Sequence, residues 1–561
     1  MSLLDNLLAL PAIAFLLILF FPKKNPDNIR LFTLVVSLAI FAISLGLIGP
    51  VIHSTGGEYQ FVTDVSWITY PSIAYHVGID GISLWLIILT TLLTPVCILV
   101  SWKSVDKRIK EYFAFLLLLE FGLIGVFAAL DLFLFYTFWE ICLVPMYFLI
   151  GIWGHDRRIY ATVKFFLYTM AGSVLMLGAI IYLYNRTGTF DYVVLQNLLS
   201  TGKLLLTHTQ QTWLFLAFFV AFAVKVPLFP MHTWLPDAHV EAPTAGSVML
   251  ASVMLKMGTY GLLRVCLPLF PNAARENAGW IAALAIIGII YAALVALVQP
   301  NMKKLVAYSS VSHLGFVVLG IFSFTQMGFD GAVYQMLNHG ISTGALFIFV
   351  GYLYDRRHSL EIKDYSGVSN AAPWLATLFL VTTLASIGLP TLNNFVGEFL
   401  VLQATAYVNF QWTVFAAIGV ILSACYMLWL YQRVFFGRMP GEIAQAAGHG
   451  HGHPSAVPVA HGHSHDHEHD HPHTHDHAHD HEHHHDHDHW HMPDLSGREW
   501  AAILPLIILM VWMGMAPQTF LPSIGTATAK TLEQSKANVE YQVKSPQMKI
   551  RPAVQEASNA R

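Results

Sequence analysis

Long apolar stretches, each closed by a few polar or charged residues, follow one another along almost the whole chain. They fall at roughly 3–22, 31–50, 79–101, 112–130, 132–153, 164–184, 212–230, 244–264, 278–298, 305–324, 330–353, 371–400, 412–436 and 500–522. A bilayer core takes about 20 apolar residues per helix, so the pattern predicts fourteen membrane spans and an all-α membrane protein. The bases sort by loop. With the N-terminus outside, inside loops and span ends hold eighteen Lys and Arg against four outside, a bias that fixes orientation and supports the number of spans. The first run has its bases after it and no small-residue cleavage site, which reads as a first helix and not as a signal peptide.

Two spans are interrupted by proline, at Ala223 to Pro230 (AVKVPLFP) and at Ser386 to Asn394 (SIGLPTLNN). A helix break in lipid strands backbone groups unless it lines a polar cavity, and paired breaks in two halves of a chain point to a transport site. The breaks occupy similar places in two blocks of five spans. Because five is odd, the blocks face opposite ways, so the expectation is two inverted five-helix repeats, each with a broken helix. The chain then divides into three N-terminal spans (1–111), a first block (112–264), a second block (278–436), a loop (437–499), a last span (500–522) and a tail (523–561).

Composition narrows the function. Of 561 residues 55% are hydrophobic and only 11% charged, with a mean hydropathy of +0.55, values of a chain whose solvent is lipid. The net charge of −4 reflects one acidic tract, and no basic stripe suggests a nucleic-acid partner. Cys97, Cys142, Cys266 and Cys425 stand singly in or beside apolar segments, giving neither a metal pair nor a disulfide framework. No glycine-rich phosphate loop or dinucleotide fingerprint appears. No cofactor is expected on this chain, and redox chemistry belongs to a partner.

The chemical signal is the set of ionisable residues within or beside spans: Glu120, Asp131, Glu140, Lys225, Lys256, His313, His339 and Glu398. Each costs on the order of 3 kcal/mol at bilayer depth. Loss of water disfavours the charged form of acids and bases alike, which readies such groups to load and unload protons. For Glu120 and Asp131, near a span end and a short turn, solvation at the interface is the simpler account. His313 and His339 read equally well as neutral core histidines bonded to backbone carbonyls. Glu140, Lys225, Lys256 and Glu398 lie too deep for either explanation. Glu140 and Lys225 are expected to form an opposite-charge pair.

Residues His449 to His491 hold twenty of the chain's 29 histidines, mostly alternating with acids or small residues. Such a segment lacks the apolar surface to fold and is expected to be a disordered inside loop. Its imidazoles, His463, His465, His467 and His469 among them, suit adventitious binding of zinc, nickel or copper. No physiological metal site is expected.

Four stretches, FYTFWEICLVPMYFLIGIWG (135–154), FAVKVPLFPMHTWLPDAHVEAPTAGSVMLASVMLKMGTYGLLR (222–264), KKLVAYSSVSHLGFVVLG (303–320) and YQRVFFG (431–437), carry a family resemblance. The chain resembles the antiporter-like M-type subunits of bacterial NADH-quinone oxidoreductase, respiratory complex I, up to about residue 436 and again from residue 498. The resemblance implies a fourteen-helix subunit of a bacterial inner-membrane complex, placed between two sister antiporter-like subunits, with both termini periplasmic and the His-rich loop cytoplasmic. It also implies roles: an input ion pair at Glu140 and Lys225, a central axis at Lys256 and His313 extended by His339, and an exit group at Glu398. Sister subunits usually carry lysine at the last position, and the His-rich insertion departs from the family pattern. The expected activity is proton translocation driven by redox chemistry elsewhere in the complex. The alternatives are a subunit of a multi-subunit sodium/proton antiporter or membrane-bound hydrogenase and, more remotely, a divalent-metal transporter that uses the His tract as a collector.

Overall fold

A computed structural model describes residues 2–22, 25–54, 57–204, 206–438 and 492–536. The His-rich tract, with its four candidate ligands, and most of the tail therefore lie outside the described residues. The apolar stretches form α1 (Leu3–Ile18), α2 (Pro26–Leu45), α3 (Ile48–Ile52), α4 (Gly81–Ser104), α5 (Ile109–Ala128), α6 (Leu132–Trp153), α7 (Arg158–Thr187), α8 (Tyr192–Ser200), α9 (His208–Lys225) and α10 (Trp234–Glu241). They continue as α11 (Thr244–Leu269), α12 (Ala278–Leu297), α13 (Met302–Ile321), α14 (Gln326–Arg357), α15 (Pro373–Ser386), α16 (Asn393–Val408), α17 (Phe410–Phe435), α18 (Gly497–Met515) and α19 (Leu521–Lys536). Among the described residues eleven helices are long and apolar enough to cross a membrane. The other three predicted spans correspond to the 16-residue α1 and to helices at the two breaks, so the fourteen are not fourteen unbroken rods.

Helix ends in an apolar medium need donors and acceptors from nearby, and short polar side chains supply them. Asp80 accepts from Ile82 N and Ser83 N at the start of α4. Asp131 accepts from Phe133 N and Leu134 N at the start of α6, each at 2.9 Å. At the first break, Trp234 Nε1 donates to Val224 O at 2.9 Å. At the second, Asn394 Nδ2 reaches Ser386 O at 3.4 Å.

The two breaks share a backbone pattern that their residues hide. Leu228 N donates to Ala223 O and Met231 N to Leu228 O; Leu389 N donates to Leu384 O and Leu392 N to Leu389 O. The helix starts repeat as well. Asp131, which caps α6, bridges to Asp191, and Asn301, which caps α13, bridges to Glu361. Asn301 and Glu361 share a recess with Arg157 and Tyr160, just past the far end of α6 from Asp131. One local structure thus recurs at opposite ends of the bundle, as an inverted pair of blocks requires.

The most apolar 18 residues of α11 and of α14 are all buried, and these two helices form the centre. Helix α11 is interrupted by two π-helical segments, Leu250–Met254 and Leu262–Cys266. Two elements escaped the hydropathy pattern. Strands β1 (Gln60–Ile68) and β2 (Ile73–Ile79) make an antiparallel hairpin in which Asp64 faces His76; Leu130 N donates to His76 O and so docks the hairpin between α5 and α6. Helix α18 ends at Met515, short of the expected 522, and α19 follows where a tail was expected. Ser523, Ile524, Ala527, Thr528, Thr531 and Leu532 are buried at helical spacing. A Cβ at Gly81 would sit 1.7 Å from Ser523 O, so the start of α4 can approach α19 this closely only with glycine there.

Candidate functional site

The deepest ionisable groups form one line through the second block. Lys256 is buried on α11, between its two π segments. Its Nζ lies 2.6 Å from Ala251 O, a carbonyl in the first π segment, and 2.6 Å from His339 Nδ1 on α14. The rings of His339 and His313 are 6.0 Å apart. His313 Nδ1 on α13 is 2.8 Å from Glu398 Oε1, in the first turns of α16 after the second break. Gln335 Nε2 donates to the same oxygen at 3.0 Å, and Tyr426 OH lies 3.4 Å from His313 Nε2. Lys256, His313, His339 and Glu398 are each 3% exposed or less, so protein groups and not bulk water set their charge states.

Local spacing explains how these groups meet. Gln335, Asn338, His339 and Ser342 recur at helical intervals and share one face of α14. That face meets the second break: Asn338 Nδ2 donates to Asn393 O, Asn393 Nδ2 returns to Asn338 O, and Asn394 Nδ2 donates to Ser342 Oγ. The break fixes the start of α16 and therefore aims Glu398 at His313. The connection runs Lys256, His339, His313, Glu398, which corrects the expected sequence in which His313 preceded His339. Neither histidine is bonded to a backbone carbonyl among the described residues.

The first block is arranged differently. Lys225 is buried at the C-terminus of α9, and its ammonium has no hydrogen-bond partner among the described residues. It sits 5.5 Å from the Trp139 ring centroid and 5.6 Å from that of Phe165, an aromatic seat for a cation. Glu140, half-buried on α6 beside Tyr136, lies within electrostatic reach of Lys225. No ion pair joins the two, so the expected Glu140 and Lys225 contact is open.

Glu120 is fully buried, and neither carboxylate oxygen meets the hydrogen-bond geometry, so interfacial solvation does not account for it. Asp131 caps α6 and is itself buried, so interfacial solvation does not account for it either. Two bases assigned to loops from the sequence are interior. Arg264 pairs with Asp80 beneath Tyr59 and Tyr260, and Lys303 donates to Ala242 O at 2.6 Å. His239, unnoticed in the sequence, is fully buried and stacked on Phe347 at 4.5 Å, with neither ring nitrogen bonded. Its signal was available, since it stands between the first break and Lys256 in a stretch rich in Pro and acids.

Interrupted helices in two opposed blocks and a buried line of bases and acids define an antiporter-like membrane subunit. A family model described as NADH:quinone oxidoreductase/Mrp antiporter, transmembrane, matches residues 129–424. The chain is 46% identical over 92% of its length to "NADH-quinone oxidoreductase subunit M" of Rickettsia prowazekii (strain Madrid E), of which it covers 95%. It is 50% identical over 74% of its length to the protein of that name from Rhodobacter capsulatus, of which it covers 82%. A chain of the respiratory complex I from Thermus thermophilus with bound NADH superposes with a TM-score of 0.77 at 29% identity, covering 94% of this chain and 99% of that one. The chain belongs to the subunit M family of NADH-quinone oxidoreductases.

Proposed function

We propose that this chain is a proton-translocating membrane-arm subunit of NADH-quinone oxidoreductase, working beside sister antiporter-like subunits and carrying no redox centre of its own. The observation that supports it most is the buried connection Lys256, His339, His313, Glu398, which links a π-interrupted helix to a broken one and offers a proton a series of sites. Redox energy released in partner subunits alters the Glu140 and Lys225 separation, and the resulting field moves a proton along that line. The energies are adequate. Bringing the two charges to 4 Å at an effective dielectric near 20 is worth roughly 4 kcal/mol, whereas moving one charge against 100 mV costs about 2.3 kcal/mol. The loop bases support an inner-membrane orientation with both termini periplasmic and the His-rich loop cytoplasmic. Replacing Glu140 or Lys225 by Ala is expected to remove most quinone-dependent proton uptake in everted vesicles while the complex still assembles. Near-normal uptake in either variant would refute their roles.

A further inference from the structure

One cluster of potential ligands lies away from the buried line, at the end of the bundle where α6 begins. We propose that Asp64, His76 and Asp191 form a binding site for a divalent transition metal of the zinc type. One ligand atom from each of the three lies within 4.8 Å of the others, and His76 Nδ1 is 2.8 Å from Asp191 Oδ2. Zinc bonds of 2.0–2.1 Å in tetrahedral geometry place ligands about 3.3 Å apart, so only a small inward turn is needed. The Asp64 side chain can make it, being exposed and forming no salt bridge or side-chain hydrogen bond among the described residues.

The backbone holds the three residues in place. Asp64 and His76 are direct partners across the hairpin. Asp191 is tied by its bridge to Asp131, by Leu132 N to Phe190 O and by Tyr192 N to Leu130 O, while Leu130 N in turn grips His76 O. A histidine and aspartate pair explains Asp191 and His76 but leaves Asp64 unaccounted for. Asp131 adds a third carboxylate nearby, with its oxygens committed to Phe133 N, Leu134 N and Ala74 N. Among the described residues no Lys or Arg forms a salt bridge with any of these aspartates. Carboxylates converging on an imidazole without a cation make a negative pocket. One nitrogen and two oxygens suit zinc with a fourth position open, whereas calcium and magnesium prefer oxygen alone.

Hydrogen exchange read by mass spectrometry locates such a site even though the His-rich tract also binds metal. In the assembled oxidoreductase, zinc at ten times its half-saturating concentration should slow opening-limited exchange about tenfold in peptides covering 60–79 and 187–195. Asp64→Asn, which leaves the His76 and Asp191 bond intact, and His76→Gln should both abolish the slowing. Exchange in those peptides that zinc leaves unchanged in the unaltered protein, or that it slows equally in Asp64→Asn, overturns the proposal; if His76→Gln disturbs assembly, Asp64→Asn decides alone.

Discussion

Replacing His313 by Leu tests the buried line at its centre. The imidazole and the Glu398 carboxylate are 2.8 Å apart with both groups almost fully buried. When the imidazole carries the proton and the carboxylate is ionised, opposite unit charges at that distance attract by about 6 kcal/mol at an effective dielectric near 20. Leucine removes that attraction, leaves Gln335 as the one remaining donor to Oε1, and deletes the only ring bridging His339 to Glu398 in the described line. If even half the attraction appears in the barrier, about 3 kcal/mol, the proton-transfer step slows by more than a hundredfold. The assay is quinone-dependent, uncoupler-sensitive acidification of everted vesicles, normalised to assembled complex on a native gel. Proton uptake above about one third of the unaltered rate, with assembly intact, is incompatible with a barrier increase of this size and would refute the reasoning.

Three further outcomes rest on the same geometry. Arg264→Met leaves Asp80 as an uncompensated buried charge, and breaking such a pair costs about 3–5 kcal/mol; the thermal midpoint of the purified complex should fall, with partial recovery in the Asp80→Leu, Arg264→Met double variant. A Cβ at Gly258 would lie 2.8 Å from Phe222 O and 2.9 Å from Val226 N, both backbone atoms at the first break, so Gly258→Val should reduce assembled complex severely on a native gel. Asn394→Leu withdraws the donors that reach Ser386 O and Ser342 Oγ, and an unpaired buried acceptor costs about 1–3 kcal/mol; denaturant or thermal unfolding should register a loss in that range.

Much of the fold could be read from hydropathy, because membrane helices announce themselves by length and their breaks by proline. The expectation failed where packing, not polarity, determines the outcome. Arg264 and Lys303 stand at the ends of apolar windows and read as loop bases, yet Asp80 and the Ala242 carbonyl receive them inside the protein. Helix α19 was hidden because its buried stripe is largely serine, threonine and alanine, which a hydropathy count passes over. The hairpin was hidden because a period of two, as in Thr63 to Trp67, disappears in a window tuned to helices.

The candidate residues were legible singly, as charges too deep to be incidental, but their connections were not. Lys256 meets His339 across 83 positions and His313 meets Glu398 across 85, distances along the chain at which sequence spacing carries no information about contact. The repeat was legible only in the number of spans and the similar places of the two breaks. The likeness of the two breaks shows in backbone bonds shared by AVKVPLFP and SIGLPTLNN, strings that share too few residues for inspection to align them.

The π segment before Lys256 governs how this helix tolerates change. An α-helix advances about 100° per residue, and a π turn absorbs one extra residue without rotating the remainder of the helix. Deleting a single residue between Leu250 and Met254 would let the turn relax to ordinary pitch with the lysine still facing the His339 imidazole, whereas deleting one from the α-helical turn Thr244–Met249 would swing the lysine by about 100°. The second deletion would keep every charged group in the sequence and lose the contact between Lys256 and His339.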